Sequence, residues 1–153
     1  MIKAVVFDLD HTLFDRYETL RLVVPMFREK FRLNPDITDE YFAKELIWAD
    51  KNYVHRGWNE IFAHLIKCKI FEDVPTFEEY EAFMISCFKR VAVKYPFAIP
   101  TLEKERKMGY KTGLITNSDT HVQERKLEML DLYSYLDEIV ISGSTPYRKP
   151  QKE

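Results

Sequence analysis

Two rhythms alternate along this chain. Residues 2–7 form a short run rich in β-branched and aromatic residues that stops at Asp8, the pattern of a buried strand. From about Glu18 to Tyr95 the apolar positions fall at helical spacing instead, as in Phe42, Leu46, Ala49 and Tyr53, then Trp58, Ile61, Phe62, Leu65 and Ile66, then Phe77, Tyr80, Met84, Phe88 and Val91. Thr38 precedes the acidic pair Asp39-Glu40, and Thr76 with Glu79 fits a capping box, so this stretch predicts a bundle of about four helices. Beyond Pro96 and Pro100 the rhythm changes again. A short helix over 101–108 is stopped by Gly109 in a left-handed cap, followed by a strand over 111–116, a helix over 119–130 and a strand over 138–142. Strands alternating with helices imply parallel pairing through right-handed crossovers. The predicted architecture is an α/β, Rossmann-like parallel sheet core, residues 1–14 and 97–153, with an inserted α-helical bundle over 15–96.

Composition narrows the function classes. With 23 basic against 25 acidic side chains, the chain has no electrostatic footprint for nucleic acid or an anionic membrane surface. No apolar run approaches the 18 or so residues of a membrane span, and carboxylates interrupt the first apolar stretch too early for a signal peptide. Two cysteines, Cys68 and Cys87, make neither a disulfide framework nor a four-cysteine zinc site; they read as thiols without chemistry, and a reducing cytoplasm is the expected location. The glycines, Gly57, Gly109, Gly143 and Gly113, satisfy neither G-x-G-x-x-G nor the phosphate-cradling G-x-x-x-x-G-K-[ST], and the four histidines contain no H-E-x-x-H. In the helical insertion, Tyr41, Phe42, Trp48, Tyr53, Trp58 and Phe62 read as bundle packing, and Arg16, His55 and Arg56 as solvated surface.

In an open parallel sheet, ligands bind beyond the carboxyl ends of the strands. Each strand candidate ends in polar residues: Asp8-Leu9-Asp10-His11-Thr12 after the first, Thr116-Asn117-Ser118 after the second, and Arg148-Lys149-Pro150 in the loop beyond the third. Two carboxylates, a hydroxyl and a lysine converging on one crevice suit phosphoryl transfer to a carboxylate, with a hard cation offsetting charge. Asn117 and Ser118 either contact phosphate or start the next helix as caps.

Phe7-Asp8-Leu9-Asp10-His11-Thr12-Leu13 resembles the D-x-D-x-T motif of the haloacid dehalogenase-like hydrolases; Leu114-Ile115-Thr116-Asn117-Ser118 is similar to their second motif and Arg148-Lys149-Pro150 to the third-motif lysine. A helical insertion directly after motif one matches the subgroup that includes phosphatases and β-phosphoglucomutases. The resemblance implies that Asp8 is the nucleophile that forms an aspartyl-phosphate and that Asp10 is the general acid and then the base. It further implies that Thr116 and Lys149 hold the phosphoryl group, with Asn117 beside them. Mg2+ would sit on the Asp8 carboxylate and the Asp10 backbone carbonyl. An acid at Asp10 favours phosphate esters, because an alkoxide leaving group needs a proton and a halide does not. The expected function is Mg-dependent hydrolysis of a small phosphorylated metabolite; the alternatives are a phosphomutase on the same site and a catalytically silent binding protein.

Two departures accompany the resemblance. His11 stands where the subgroup often has glycine; histidine is tolerated in such turns, which implies a modest change in local backbone and no loss of chemistry. The family draws further magnesium-binding acids from a fourth motif, whereas only Gln151-Lys152-Glu153 follow the lysine motif here. The chain is therefore expected to be an amino-terminal piece of a longer hydrolase or a shortened relative, with the edge of its first strand open to self-association.

Overall fold

The computed structural model describes residues 2–151; Met1, Lys152 and Glu153 lie outside the described residues. The chain divides into two compact units, one of Met1–Arg16 with Ala92–Glu153 and one of Tyr17–Val91. The unit boundaries lie two and five residues from those read off the sequence, and backbone pairing explains the shift. Asp15 N–H donates to the Val93 carbonyl (2.9 Å) and Tyr95 N–H to the Leu13 carbonyl (3.0 Å), which ties residues 93–95 to the loop after the first strand.

The first unit is α/β. Strands β1 (Ala4–Phe7), β2 (Lys111–Thr116) and β3 (Glu138–Ile141) form a parallel sheet in the order β1-β2-β3. Phe7 sits opposite Leu114, and Leu114 opposite Ile139, so side chains in register share a face. The face carrying Thr112, Leu114, Thr116 and Ile141 is buried, and Leu114→Ala there would cost about 2–5 kcal/mol. Val6, Ile115 and Val140, on the opposite face, are exposed.

Helices α5 (Ala98–Lys107) and α6 (Thr120–Met129) connect the strands. Helix α5 starts three residues before the sequence reading because Pro100 occupies its first turn, where the absent N–H is no loss. It ends at Gly109, whose φ of +84° is the left-handed cap the sequence predicts. After β3, Gly143 passes so close to the other loop that a Cβ there would lie 2.6 Å from Thr120 N and 2.9 Å from the Ser118 carbonyl oxygen. Glycine is required by that approach, which packs the loop after β3 against the loop after β2.

The second unit is all-helical: α1 (Arg16–Lys30, all but its first residue), α2 (Asp39–Tyr53), α3 (Trp58–Lys67) and α4 (Phe77–Val91). Thr38 caps α2 by accepting from Tyr41 N–H, and Thr76 and Glu79 form the reciprocal capping box ahead of α4. The core centres on Phe27, with Phe42, Phe71, Tyr80 and Phe83 around it at ring-centroid distances of 5.0–6.3 Å. Phe42 and Phe62 are buried as the helical spacing predicts. Tyr41 and Trp48 are not: both are exposed. Their positions on α2 fall to the side of the stripe formed by Phe42, Leu46 and Ala49. Among the described residues, no helix is long and apolar enough to cross a membrane.

Candidate active site

The turn after β1 is built on an apolar anchor. Leu9, Leu13 and Phe14 are buried, and the Leu9 carbonyl accepts from the N–H groups of Thr12, Leu13 and Phe14. Asp8 and Asp10, flanking Leu9, are thereby left with partly exposed carboxylates. His11 takes φ +61°, the left-handed conformation that glycine adopts freely and histidine tolerates.

Asp8 Oδ1 accepts from Leu9 N–H at 2.8 Å and lies 2.9 Å from Lys149 Nζ. Lys149 arrives from the far end of the sequence and is fastened at three points. Its ammonium donates to the Ile115 carbonyl at 2.6 Å, its backbone N–H to Asn117 Oδ1 at 2.9 Å, and its carbonyl accepts from Asn117 Nδ2 at 2.9 Å. The Asn117 side chain thus holds the lysine loop. This corrects the helix-cap expectation: the N-cap of α6 is Asp119, which accepts from His121 N–H.

Asp10 has a different environment. Lys126 Nζ donates to both of its oxygens at 2.7 and 2.8 Å, Gln123 Nε2 donates to Oδ2 at 3.0 Å, and Arg16 Nη1 lies 3.8 Å from Oδ1. Burial works to raise the Asp10 pKa, but the Lys126 and Arg16 charges and the Gln123 hydrogen bond outweigh it and hold the carboxyl below its ordinary range. Gln123 Nε2 also donates to Thr116 Oγ1 at 2.7 Å, so the buried Thr116 hydroxyl and Asp10 share one amide.

The structure therefore brings Asp8 to Lys149 and Asp10 to Thr116, all at the carboxyl ends of β1 and β2. It also adds Gln123, Lys126 and Arg16, which sequence reasoning missed. Arg16 corrects the expectation of a solvated surface residue: it is buried beside Asp10, whereas His55 and Arg56 are exposed. Gln123 and Lys126 did leave a signal. They are three residues apart on one face of α6 with Leu127 and Leu130, polar residues in a stripe that is otherwise apolar.

Both oxygens of Asp10 accept hydrogen bonds, from Lys126 and Gln123. Among the described residues, Asp8 Oδ2 carries no hydrogen bond, and Asp8 is half-exposed. A hard cation thus finds a carboxylate oxygen without a hydrogen bond on Asp8, whereas the Asp10 carboxylate is already held by cations. Such a sparse donor set suits Mg2+, which keeps several waters.

A family model for haloacid dehalogenase-like hydrolases matches residues 2–153. The chain belongs to that family. Among curated relatives, it is 31% identical to the glyceraldehyde 3-phosphate phosphatase of Methanopyrus kandleri, the match covering 98% of this chain and 66% of the relative. It is 24% identical to the pyrophosphatase PpaX of Bacillus cereus, over 99% of this chain and 65% of that protein. The chain spans just under two thirds of the length of these curated relatives. Its fold matches that of the L-2-haloacid dehalogenase of Xanthobacter autotrophicus with a TM-score of 0.65 at 20% identity, over 99% of this chain and 61% of the other.

Proposed function

We propose that this chain carries the phosphoryl-transfer residues of a Mg-dependent phosphatase acting on a small phosphomonoester, with Asp8 as nucleophile. The observation that carries the reading is the Lys149 ammonium 2.9 Å from the Asp8 carboxylate, at the strand ends where an α/β sheet binds its ligands. A lysine so placed both neutralises the nucleophile's charge and supplies a donor for an equatorial phosphoryl oxygen.

In the first step, a carboxylate oxygen of Asp8 forms a bond to phosphorus as the ester P–O bond breaks. Lys149 Nζ and Thr116 Oγ1 hold the equatorial oxygens. The departing alkoxide takes a proton from Asp10. In the second step, Asp10 removes a proton from water, whose oxygen attacks the aspartyl-phosphate at phosphorus; free phosphate leaves and the Asp8 carboxylate returns. The ion pairs around Asp10 suit the second role directly, since they keep it ionised. The first role requires its proton affinity to rise, and an incoming phosphoryl dianion supplies a rise of that sign. Mg2+, held by the Asp8 carboxylate and the Asp10 backbone carbonyl, would supply charge compensation for the phosphoryl oxygens.

Relatives named for glyceraldehyde 3-phosphate and for pyrophosphate support a small phosphorylated substrate. The test is phosphate release from triose phosphates, sugar phosphates and pyrophosphate with Mg2+, comparing the wild-type chain with Asp8→Asn. Release that depends on Asp8 supports the reading. Equal rates in both proteins overturn the assignment of Asp8, and a phosphorylated isomer in place of free phosphate identifies a mutase.

A further inference from the structure

The all-helical unit contains a second cluster of titratable side chains, unrelated to phosphate chemistry. Glu45 and Tyr41 lie four residues apart on α2, and His64 and Cys68 four residues apart at the end of α3, where Cys68 is the C-cap. Residues at that spacing share a helix face. Helices α2 and α3 are joined by the short link Val54–Arg56 and Gly57, so their faces pack against each other. The pairs meet: His64 Nε2 lies 2.9 Å from Glu45 Oε2, Cys68 Sγ 3.3 Å from His64 Nε2, and Cys68 Sγ 3.5 Å from Glu45 Oε2. Glu45, His64 and Cys68 are each partly shielded from solvent, and Trp48 stacks on the His64 ring at 4.7 Å, fixing its plane.

We propose that Glu45, His64 and Cys68 form a zinc site that clamps α2 to α3. Zinc takes tetrahedral sets of sulfur, nitrogen and oxygen, with bonds of about 2.3 Å to sulfur and about 2.0–2.1 Å to nitrogen and oxygen, which separate neighbouring ligand atoms by about 3.3–3.6 Å. The three observed separations, 2.9, 3.3 and 3.5 Å, describe one triangular face of such a tetrahedron, needing only a small opening between His64 and Glu45. One thiolate, one imidazole and one carboxylate are a borderline-soft donor set, which selects zinc over the hard Mg2+ that suits Asp8. Charge also balances: thiolate and carboxylate together offset the dication. On binding, the Cys68 thiol proton leaves to solvent, as does any proton shared between His64 and Glu45. Three protein ligands leave a fourth position for water or for Tyr41, whose hydroxyl lies beside the Cys68 thiol.

The test uses the purified wild-type chain, stripped of metal and titrated with Co2+ and with Zn2+. The expected result is a thiolate-to-cobalt charge-transfer band in the near ultraviolet, together with the strong visible bands of a tetrahedral ion, saturating at one ion per chain and displaced by Zn2+. Zn2+ is expected to raise the melting temperature. Cys68→Ser abolishes the band, and Glu45→Gln weakens affinity by more than the roughly 10–100-fold typical of losing an outer-shell partner. Cys87→Ala and Asp8→Asn keep the band, which separates this site from the other thiol and from the phosphoryl-transfer residues. Absence of the band in the folded wild-type chain overturns the proposal, as does a band that survives Cys68→Ser. The wild-type and Cys87→Ala measurements stand even where Cys68→Ser fails to fold.

Discussion

The cluster around Asp8 and Asp10 and the cluster around Glu45 are both compact sets of titratable groups, but their charges run in opposite directions. In the α/β unit, two carboxylates face three cations, Lys149, Lys126 and Arg16. In the helical unit, one carboxylate meets an imidazole and a thiol, and burial together with Glu45 pushes that thiol up. The first set gathers cations around its carboxylates, the pattern of an anion site; the second gathers a carboxylate, an imidazole and a thiol, the donor types of a metal site. Their construction differs in the same sense. Asp8 and Lys149 come from opposite ends of the sequence and meet only because parallel strands present their carboxyl ends together, whereas Glu45, His64 and Cys68 need only two adjacent helices.

The largest effect that tests this contrast is on Asp8. Asp8→Asn keeps the side chain's shape and removes the proposed nucleophile, so phosphate release is expected to fall by at least about a thousandfold. Steady-state assays with Mg2+ measure it, and a loss under tenfold would strip Asp8 of its role. Lys149→Met comes next: loss of one charged donor to the phosphoryl oxygens is expected to lower kcat about 10²–10³-fold. A rise in KM alone would make Lys149 a substrate anchor that contributes equally to ground and transition states.

The legibility of these parts follows from the range of the forces that set them. The three strands, the helical insertion, the Thr76–Glu79 capping box and the Gly109 cap rest on local chemistry, and each stands in the structure close to its predicted position. The start of α5 was misplaced because a proline in a first turn looks, from the sequence, like a break. The partners of Asp10 were missed for another reason. Gln123 and Lys126 are polar residues on the buried stripe of α6, and their purpose appears only once β1 has brought Asp10 beside that helix. The zinc cluster was hidden because His64-x-x-x-Cys68 supplies half a site, and nothing along the chain announces that α2 brings Glu45 to it.

A smaller and more specific effect is expected of Lys126→Met. Lys126 lowers the Asp10 pKa, so its removal raises it. Asp10 must be ionised to act as base toward water, and a raised pKa keeps it protonated to higher pH. The acidic limb of the pH–rate profile is therefore expected to move upward, with kcat near neutrality changed less than by Lys149→Met. A stability change of matching sign accompanies it. In the wild type, the depressed Asp10 pKa contributes stability above the ordinary carboxylate value of about 3.9 and loses it as pH falls through the lower folded value. In Lys126→Met that acid-sensitive contribution shrinks. An unchanged acidic limb would separate Lys126 from the titration of Asp10 and leave it a packing role.

The smallest effect belongs to the backbone that carries Asp10. His11 holds φ +61° in the turn between the buried anchors Leu9 and Leu13, a conformation that β-branched residues adopt only at a cost. His11→Val is expected to destabilise the chain by about 1–2 kcal/mol, read as a lower denaturation midpoint at unchanged m-value. His11→Gly removes the steric penalty but adds freedom to the unfolded chain, two terms of opposite sign, so a change under about 1 kcal/mol is expected. The pair sharpens the contrast between the units: in the helical unit the ligating side chains stand on regular helix or its cap, whereas the Asp8–Asp10 turn holds its carboxylates on a left-handed residue. If His11→Val were as stable as His11→Gly, the turn would impose no conformational demand at this position, and the backbone there would not be what orients Asp10.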